Sequence, residues 1–187
     1  MPQAPDRLYF TDDDDANALL AREPMALLIG FALDQQVPVQ KAFSGPKAIL
    51  ERAGTLDASR LALLDLDEAF RQRPAVHRFP GAMAKRVQEL AQVVAADYGG
   101  DASRLWTEAA DGADLRRRIE ALPGFGEMKV IALGAVLAKR FGVEQARDLV
   151  PSHPTLGDVD SPEALTAYQD AKRAYKAKVR AGEAATW

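Results

Sequence analysis

From Pro24 to Gln36, the apolar residues Met25, Leu28, Ile29, Ala32 and Leu33 recur at three- and four-residue spacing. That is the period of one face of a helix, and Pro24 suits its first position. The spacing predicts a core helix there and a second helix from Pro38 to Arg52 that stops near Gly54. Ahead of both, Asp12 to Asp15 place negative charge where they can cap a first short helix running through Ala21; a solvated acidic turn is the plainer reading. Residues 55–73 read as one or two short helices carrying Leu61, Leu64, Leu66 and Phe70. A longer helix is expected from Ala82 to Tyr98 on Val87, Leu90, Ala91 and Val94, ended by Gly99-Gly100. Helices over Ala113–Ala121 and Glu127–Arg140 flank a five-residue turn, and Gly142 closes the second. Residues 151–157 read as an irregular loop, and Ser161-Pro162-Glu163 opens a last helix rich in alanine and lysine that runs to about Arg180.

Composition sharpens the fold class. Alanine and leucine number 56 together, against 22 for valine, isoleucine and threonine, which favours an all-α fold over sheet. At 187 residues, 48% hydrophobic and 27% charged, the chain has the balance of an ordinary globular protein. Cysteine is absent, which excludes a disulfide framework, a thiol nucleophile and an iron-sulfur cluster. Two histidines, His77 and His153, leave little for any other metal site, so no metal and no cofactor is expected. No apolar run approaches the 18 or so residues that cross a bilayer, and the opening residues lack the basic and apolar regions of a signal peptide. The expectation is a soluble, cytoplasmic protein without a membrane partner. A net charge of -3 argues against nucleic acid overall, yet distant charges are screened and local charge decides. Arg71 to Gln88 contains Arg71, Arg73, His77, Arg78, Lys85 and Arg86 with no acidic residue, the most basic stretch in the chain.

Leu122-Pro123-Gly124-Phe125-Gly126 carries the most chemistry. Two glycines accept positive φ and hold no side chain to keep a ligand away, so the backbone itself can touch a phosphate. The helix that follows opens with amides that lack intrahelical partners at the positive end of its dipole. A plain helix-helix corner with a glycine cap is the simpler alternative.

This turn resembles the hairpin of the helix-hairpin-helix GPD superfamily of base-excision DNA glycosylases, which includes endonuclease III and the alkylbase glycosylases. Upstream, Leu33-Asp34-Gln35-Gln36-Val37-Pro38-Val39 resembles that superfamily's helix-end motif of the form L-S-Q-Q-T-S-V, and the similarity covers about residues 25–142. The resemblance implies a two-lobed helical fold with a cleft between the lobes and the hairpin motif at about 113–140. A hairpin lobe of about 24–142 would be joined by a shortened second lobe built from residues 1–23 and the helix at 161–181. It implies base-excision repair of double-stranded DNA carrying a damaged base, by a monomer associated with the bacterial nucleoid. Gly124, Phe125 and Gly126 would grip backbone phosphate through main-chain amides, with a monovalent cation possible at the hairpin and Lys129, Arg78, Lys85 and Arg86 adding charge. Gln36 would fill the stack vacated by a flipped base, with Gln35 the second choice because it projects about 100° away around the helix. A simpler role for Gln36 is to cap the helix end.

Catalytic residues carry over less directly. Bifunctional members attack the sugar with a lysine two residues after the second hairpin glycine. Met128 stands there, and a thioether cannot form a Schiff base. Lys129, one residue on, reads as a phosphate contact or a solvated charge. The implied enzyme is a monofunctional glycosylase, a hydrolase without lyase activity. For the essential aspartate, Val159-Asp160-Ser161 resembles the superfamily's V-D-T motif, which makes Asp160 the catalytic candidate and Asp158 the reserve. Alternatively, Asp160 and Ser161 cap the last helix. Asp34, two residues before Gln36, is a further carboxylate near the cleft by motif, with a structural role the simpler reading. The rival functions are a non-catalytic DNA-binding or lesion-sensing protein that has lost the acid, and a helical protein-interaction domain.

Overall fold

The computed structural model describes residues 4–183; residues 1–3, which open the N-terminal segment, and 184–187 lie outside the described residues. Every regular element among the described residues is helical. Asp13 accepts from the amides of Asp15 and Ala16 and starts α1 (Asp14–Arg22), so an aspartate cap opens this helix as its charge pattern suggests. Helix α2 (Pro24–Leu33) follows after a single residue, with Pro24 at its start. Met25 through Leu33 are all buried, so this helix is apolar on every side and runs through the middle of the core rather than along its edge.

The expected helix to Gln36 ends three residues early, at Leu33, and the cause lies far away in sequence. Gln36 adopts a left-handed conformation, φ 57°, and the buried ring of His77 takes over the helix end. His77 Nδ1 accepts the Phe79 amide at 3.0 Å, so Nε2 carries the proton and points it at the carbonyls of Leu33 and Gln35, each 3.1 Å away.

Helix α3 (Val39–Ala53) ends where expected, at Gly54 with φ 78°. Its Phe43 ring meets Phe10 and Phe31 edge-on at centroid distances of 4.9 and 5.0 Å. Short helices α4 (Ala58–Leu61) and α5 (Asp67–Arg71) pack on α6 (Pro80–Asp97), which begins two residues earlier than its apolar pattern indicated. Leu61, Leu66 and Phe70 are buried as expected, whereas Leu64 lies at the surface because α4 has already ended. The one-turn helix α7 (Arg104–Thr107) has no counterpart in the sequence reading.

Helices α8 (Gly112–Glu120) and α9 (Glu127–Arg140) flank the turn at 122–126. Helix α9 is held by two 3-10 turns, at Glu144–Leu149 and Leu156–Asp158, the second starting within the stretch 151–157 expected to be irregular. In that second turn Thr155 and Asp158 cap each other's backbone reciprocally. The last helix, α10 (Pro162–Arg180), buries only Leu165 and reaches α3 through a two-way amide pair between Gln40 and Gln169, at 2.8 and 3.0 Å.

One continuous hydrophobic cluster runs from Leu8 to Leu165 and includes α1, which lies against α2 and α3, while α10 lies against the 3-10 turn at 156–158. Among the described residues no single helix is long and apolar enough to cross a membrane.

Candidate functional site

The turn between α8 and α9 has the geometry its glycines require. Gly124 sits at φ 77°, and a Cβ built there would lie 1.7 Å from Nη1 of Arg86. Arg86 therefore lies directly over the turn, and the left-handed backbone at Gly124 is what requires glycine. At Gly126 an added Cβ would meet nothing within 4 Å, so that position opens onto solvent. Phe125 is buried and its amide bonds to the Leu122 carbonyl at 3.2 Å, so neither its ring nor its amide is offered to a ligand. Among the described residues, the amides of Gly124, Gly126, Glu127, Met128 and Lys129 donate to no protein acceptor. Glu127 places a carboxylate in the same first turn, but Arg116 holds it at 2.9 Å.

Beside Met128 and Lys129, at the end of this row, lies a cavity of about 130 Å³. It is framed by Phe31 and Asp34 at the end of α2, Met128 and Lys129 at the start of α9, and Tyr168 and Lys172 on α10, and the loop residues 153–156 close it. A wider groove of about 330 Å³ continues from it between the turn at 37–39 and α10, sharing Asp34, Tyr168 and Lys172 and adding Arg173 and Lys176. Lys172, Arg173 and Lys176 of α10 thus line a groove that leads to a carboxylate.

Lys129 does not behave as a solvated charge. Its half-buried ammonium donates to the Ala32 carbonyl at 3.1 Å and sits 5.6 Å from the Phe125 ring centroid. Burial lowers its pKa below the usual lysine range, and Arg86 acts in the same direction against the pull of Asp34. Asp34 is affected in the opposite sense. Burial raises its carboxyl above the ordinary range although Lys172, Lys129 and Lys176 pull it down. The Tyr168 phenol is pushed up to about 12 by burial, with Asp34 and Asp158 adding to the rise, so it stays protonated and can donate.

The other candidates distribute as follows. Gln36 is exposed in its left-handed turn, and its side-chain amide makes no hydrogen bond among the described residues, so it does not cap α2. Gln35 is exposed too; its amide donates to the Leu33 carbonyl at 2.8 Å and its carbonyl accepts from His77. Arg78 lies 4.9 Å from the Phe79 ring and reaches the Gln36 carbonyl at 3.5 Å, which brings the basic segment beside the Gln35-Gln36 turn. Lys85 is exposed on α6 next to Arg86. Asp160 and Asp158 are not brought into the cavity. Asp160 lines a separate hollow with Arg7, Tyr9 and Arg140, and the α10 cap is Ser161, which accepts from the Ala164 amide at 3.0 Å. Asp158 is tied to Lys139 and to the Thr155 amide, and these bonds outweigh burial and hold its carboxyl below the usual range.

Sequence reasoning gave little weight to Asp34 and missed Tyr168 and His153. Only the Leu33-to-Gln36 motif hinted at the first of these. Among the described residues no group of three histidine, aspartate or glutamate side chains is placed to hold a metal ion. No family model and no curated protein matches the chain.

Proposed function

We propose that this protein binds duplex DNA through the hairpin and the α10 groove, draws a damaged base into the cavity beside Asp34, and hydrolyses its N-glycosidic bond without lyase chemistry. The observation that carries this reading is the row of main-chain amides at Gly124, Gly126, Glu127, Met128 and Lys129, which donate to no acceptor among the described residues and whose last two members line a cavity that holds a carboxylate. Such amides at a helix start favour a phosphate through hydrogen bonds and field together. Gln36, exposed at the neighbouring turn, is the group proposed to enter the vacated stack.

The binding step is tested by Gly126→Ala. Its φ of -83° suits alanine and the methyl group has room, so stability should be unchanged or slightly higher. A phosphate strand approaching the backbone would meet that methyl, and duplex affinity should fall at least about tenfold, or about 1.4 kcal/mol. Unchanged affinity would mean that no strand runs there. The chemical step is tested with duplexes carrying a single uracil, hypoxanthine, alkylated or oxidised base, followed by alkali. Breaks at one lesion support the enzyme, whereas binding without breaks assigns the protein to lesion sensing.

The α10 contribution has its own test. Replacing Lys172 and Lys176 by glutamate should weaken binding and flatten the dependence of log affinity on log salt by about 0.9 for each phosphate that is no longer neutralised. An unaltered slope would return α10 to a solvent-facing role.

A further inference from the structure

We propose that Asp34 is the catalytic carboxylate of this protein, placed to face the sugar of a nucleotide drawn into the cavity between α2, α9 and α10. The inference rests on the glycosylase reading above and replaces Asp160 in it. Asp34 is half-buried at the end of α2 and lines both the cavity and the groove that leads to it. Among the described residues its carboxylate has no hydrogen bond and no ion pair, whereas Asp158 is held by Lys139 and Thr155. A carboxylate taken partly out of water with its oxygens uncommitted is costly to keep unless a ligand uses it.

The surroundings fit a nucleotide. Phe31 and Tyr168 supply aromatic walls. The ionisable groups that share the cavity and groove with Asp34 are Lys129 from α9, Tyr168, Lys172, Arg173 and Lys176 from α10, and His153 from the loop that closes the cavity. The ammonium groups suit the phosphates on either side of the sugar, and the single carboxylate suits the positive charge that develops on the sugar itself. Burial, which raises the Asp34 carboxyl, also makes it a stronger proton acceptor than a solvated aspartate.

In the step this implies, the C1′–N bond breaks and its electron pair leaves with the base nitrogen, which takes up a proton. Water oxygen forms the new bond to C1′, and the proton that this water loses passes to Asp34 and then to solvent. Water is the only co-reactant.

The test does not require the lesion to be known. Duplexes are prepared with one sugar replaced by a pyrrolidine, protonated and therefore cationic, or by an uncharged tetrahydrofuran ring. Wild-type protein should bind the cationic duplex at least about tenfold more tightly than the neutral one. Asp34→Asn should lose that preference while binding the neutral duplex as wild type does, and Asp160→Asn should keep it. Because the folded protein favours the neutral form of this carboxyl, Asp34→Asn should also melt no lower than wild type, whereas loss of a structural carboxylate would lower the melting temperature. On any substrate found in the lesion panel, the single-turnover rate of Asp34→Asn should fall about 10²- to 10⁴-fold. Equal discrimination by wild type and Asp34→Asn, or its loss in Asp160→Asn, overturns the assignment of Asp34 and leaves DNA binding intact. Failure of wild-type protein to bind any of these duplexes overturns the DNA reading itself, and the assignment with it.

Discussion

Phe43→Ala is expected to destabilise the protein by about 3–5 kcal/mol, the range for removing a fully buried aromatic ring. Phe43 sits where three segments meet: Phe10 from the N-terminal stretch, Phe31 from α2 and its own helix α3. It also fills the space over Gly30, where an added Cβ would come within 2.4 Å of the ring. Gly30 is therefore a notch cut for Phe43, and the two positions should couple. On helix propensity alone Gly30→Ala would stabilise by about 1 kcal/mol. Overpacking against a ring already wedged between two others instead predicts a loss of about 1–3 kcal/mol. Combining Gly30→Ala with Phe43→Ala should be less damaging than the sum of the two, because the alanine methyl then enters space the ring has left. Chemical denaturation of the four proteins in this cycle measures both quantities, and strict additivity would contradict the notch.

His77→Phe should lower stability by about 3 kcal/mol by leaving the Gln35 carbonyl and the Phe79 amide without partners and the Leu33 carbonyl with the Gln35 amide alone. For a chain of this size that corresponds to a melting temperature lower by about 6–12 °C. The pH dependence follows from the same three bonds. Burial lowers the His77 pKa below its ordinary value of about 6.5, the backbone carbonyls oppose this, and Lys41 and Arg78 reinforce it. The folded state thus prefers the neutral ring. Its contribution to stability is fully present above about pH 6.5 and is lost as the pH falls from there through the lower folded value, because the unfolded chain takes up the proton first. Thermal melts between pH 7.5 and 5 should show this decline in wild type, with a smaller slope in His77→Phe. Equal slopes in the two proteins would show that His77 is not the titrating group. The turn that His77 fastens also carries Asp34 and Gln36, so the variant should lose DNA affinity along with stability.

The hairpin was legible in sequence because its information is local: two glycines, a proline and the periodic helices on either side specify a tight turn wherever the segment sits. Most helices and most of their boundaries were legible for the same reason, and the exceptions have long-range causes. Helix α2 stops at Leu33 because a side chain forty-odd positions away, His77, binds its last carbonyls. Leu64 looked like core from its neighbours but falls just past the end of α4. Lys129 read as a phosphate contact or a solvated charge because its neighbours in sequence do not reveal the Ala32 carbonyl and the Phe125 ring, which lie against its ammonium.

The candidate site divides along the same line. Asp34, Met128, His153 and Lys172 come from four stretches that no sequence window spans, and they meet only because α2, α9, the loop at 153–156 and α10 converge on one cavity. A local motif pointed to Asp160, and the packing of the chain sets that residue beside Arg7 and Arg140 instead. By itself the amino-acid order determined the helical class, the absence of sulfur chemistry and the glycine turn, since each depends on backbone preference or residue type over a few neighbours. The tertiary structure alone decided which ionisable groups share a low-dielectric pocket, because desolvation and charge proximity depend on distance in space, to which separation along the chain is a poor guide.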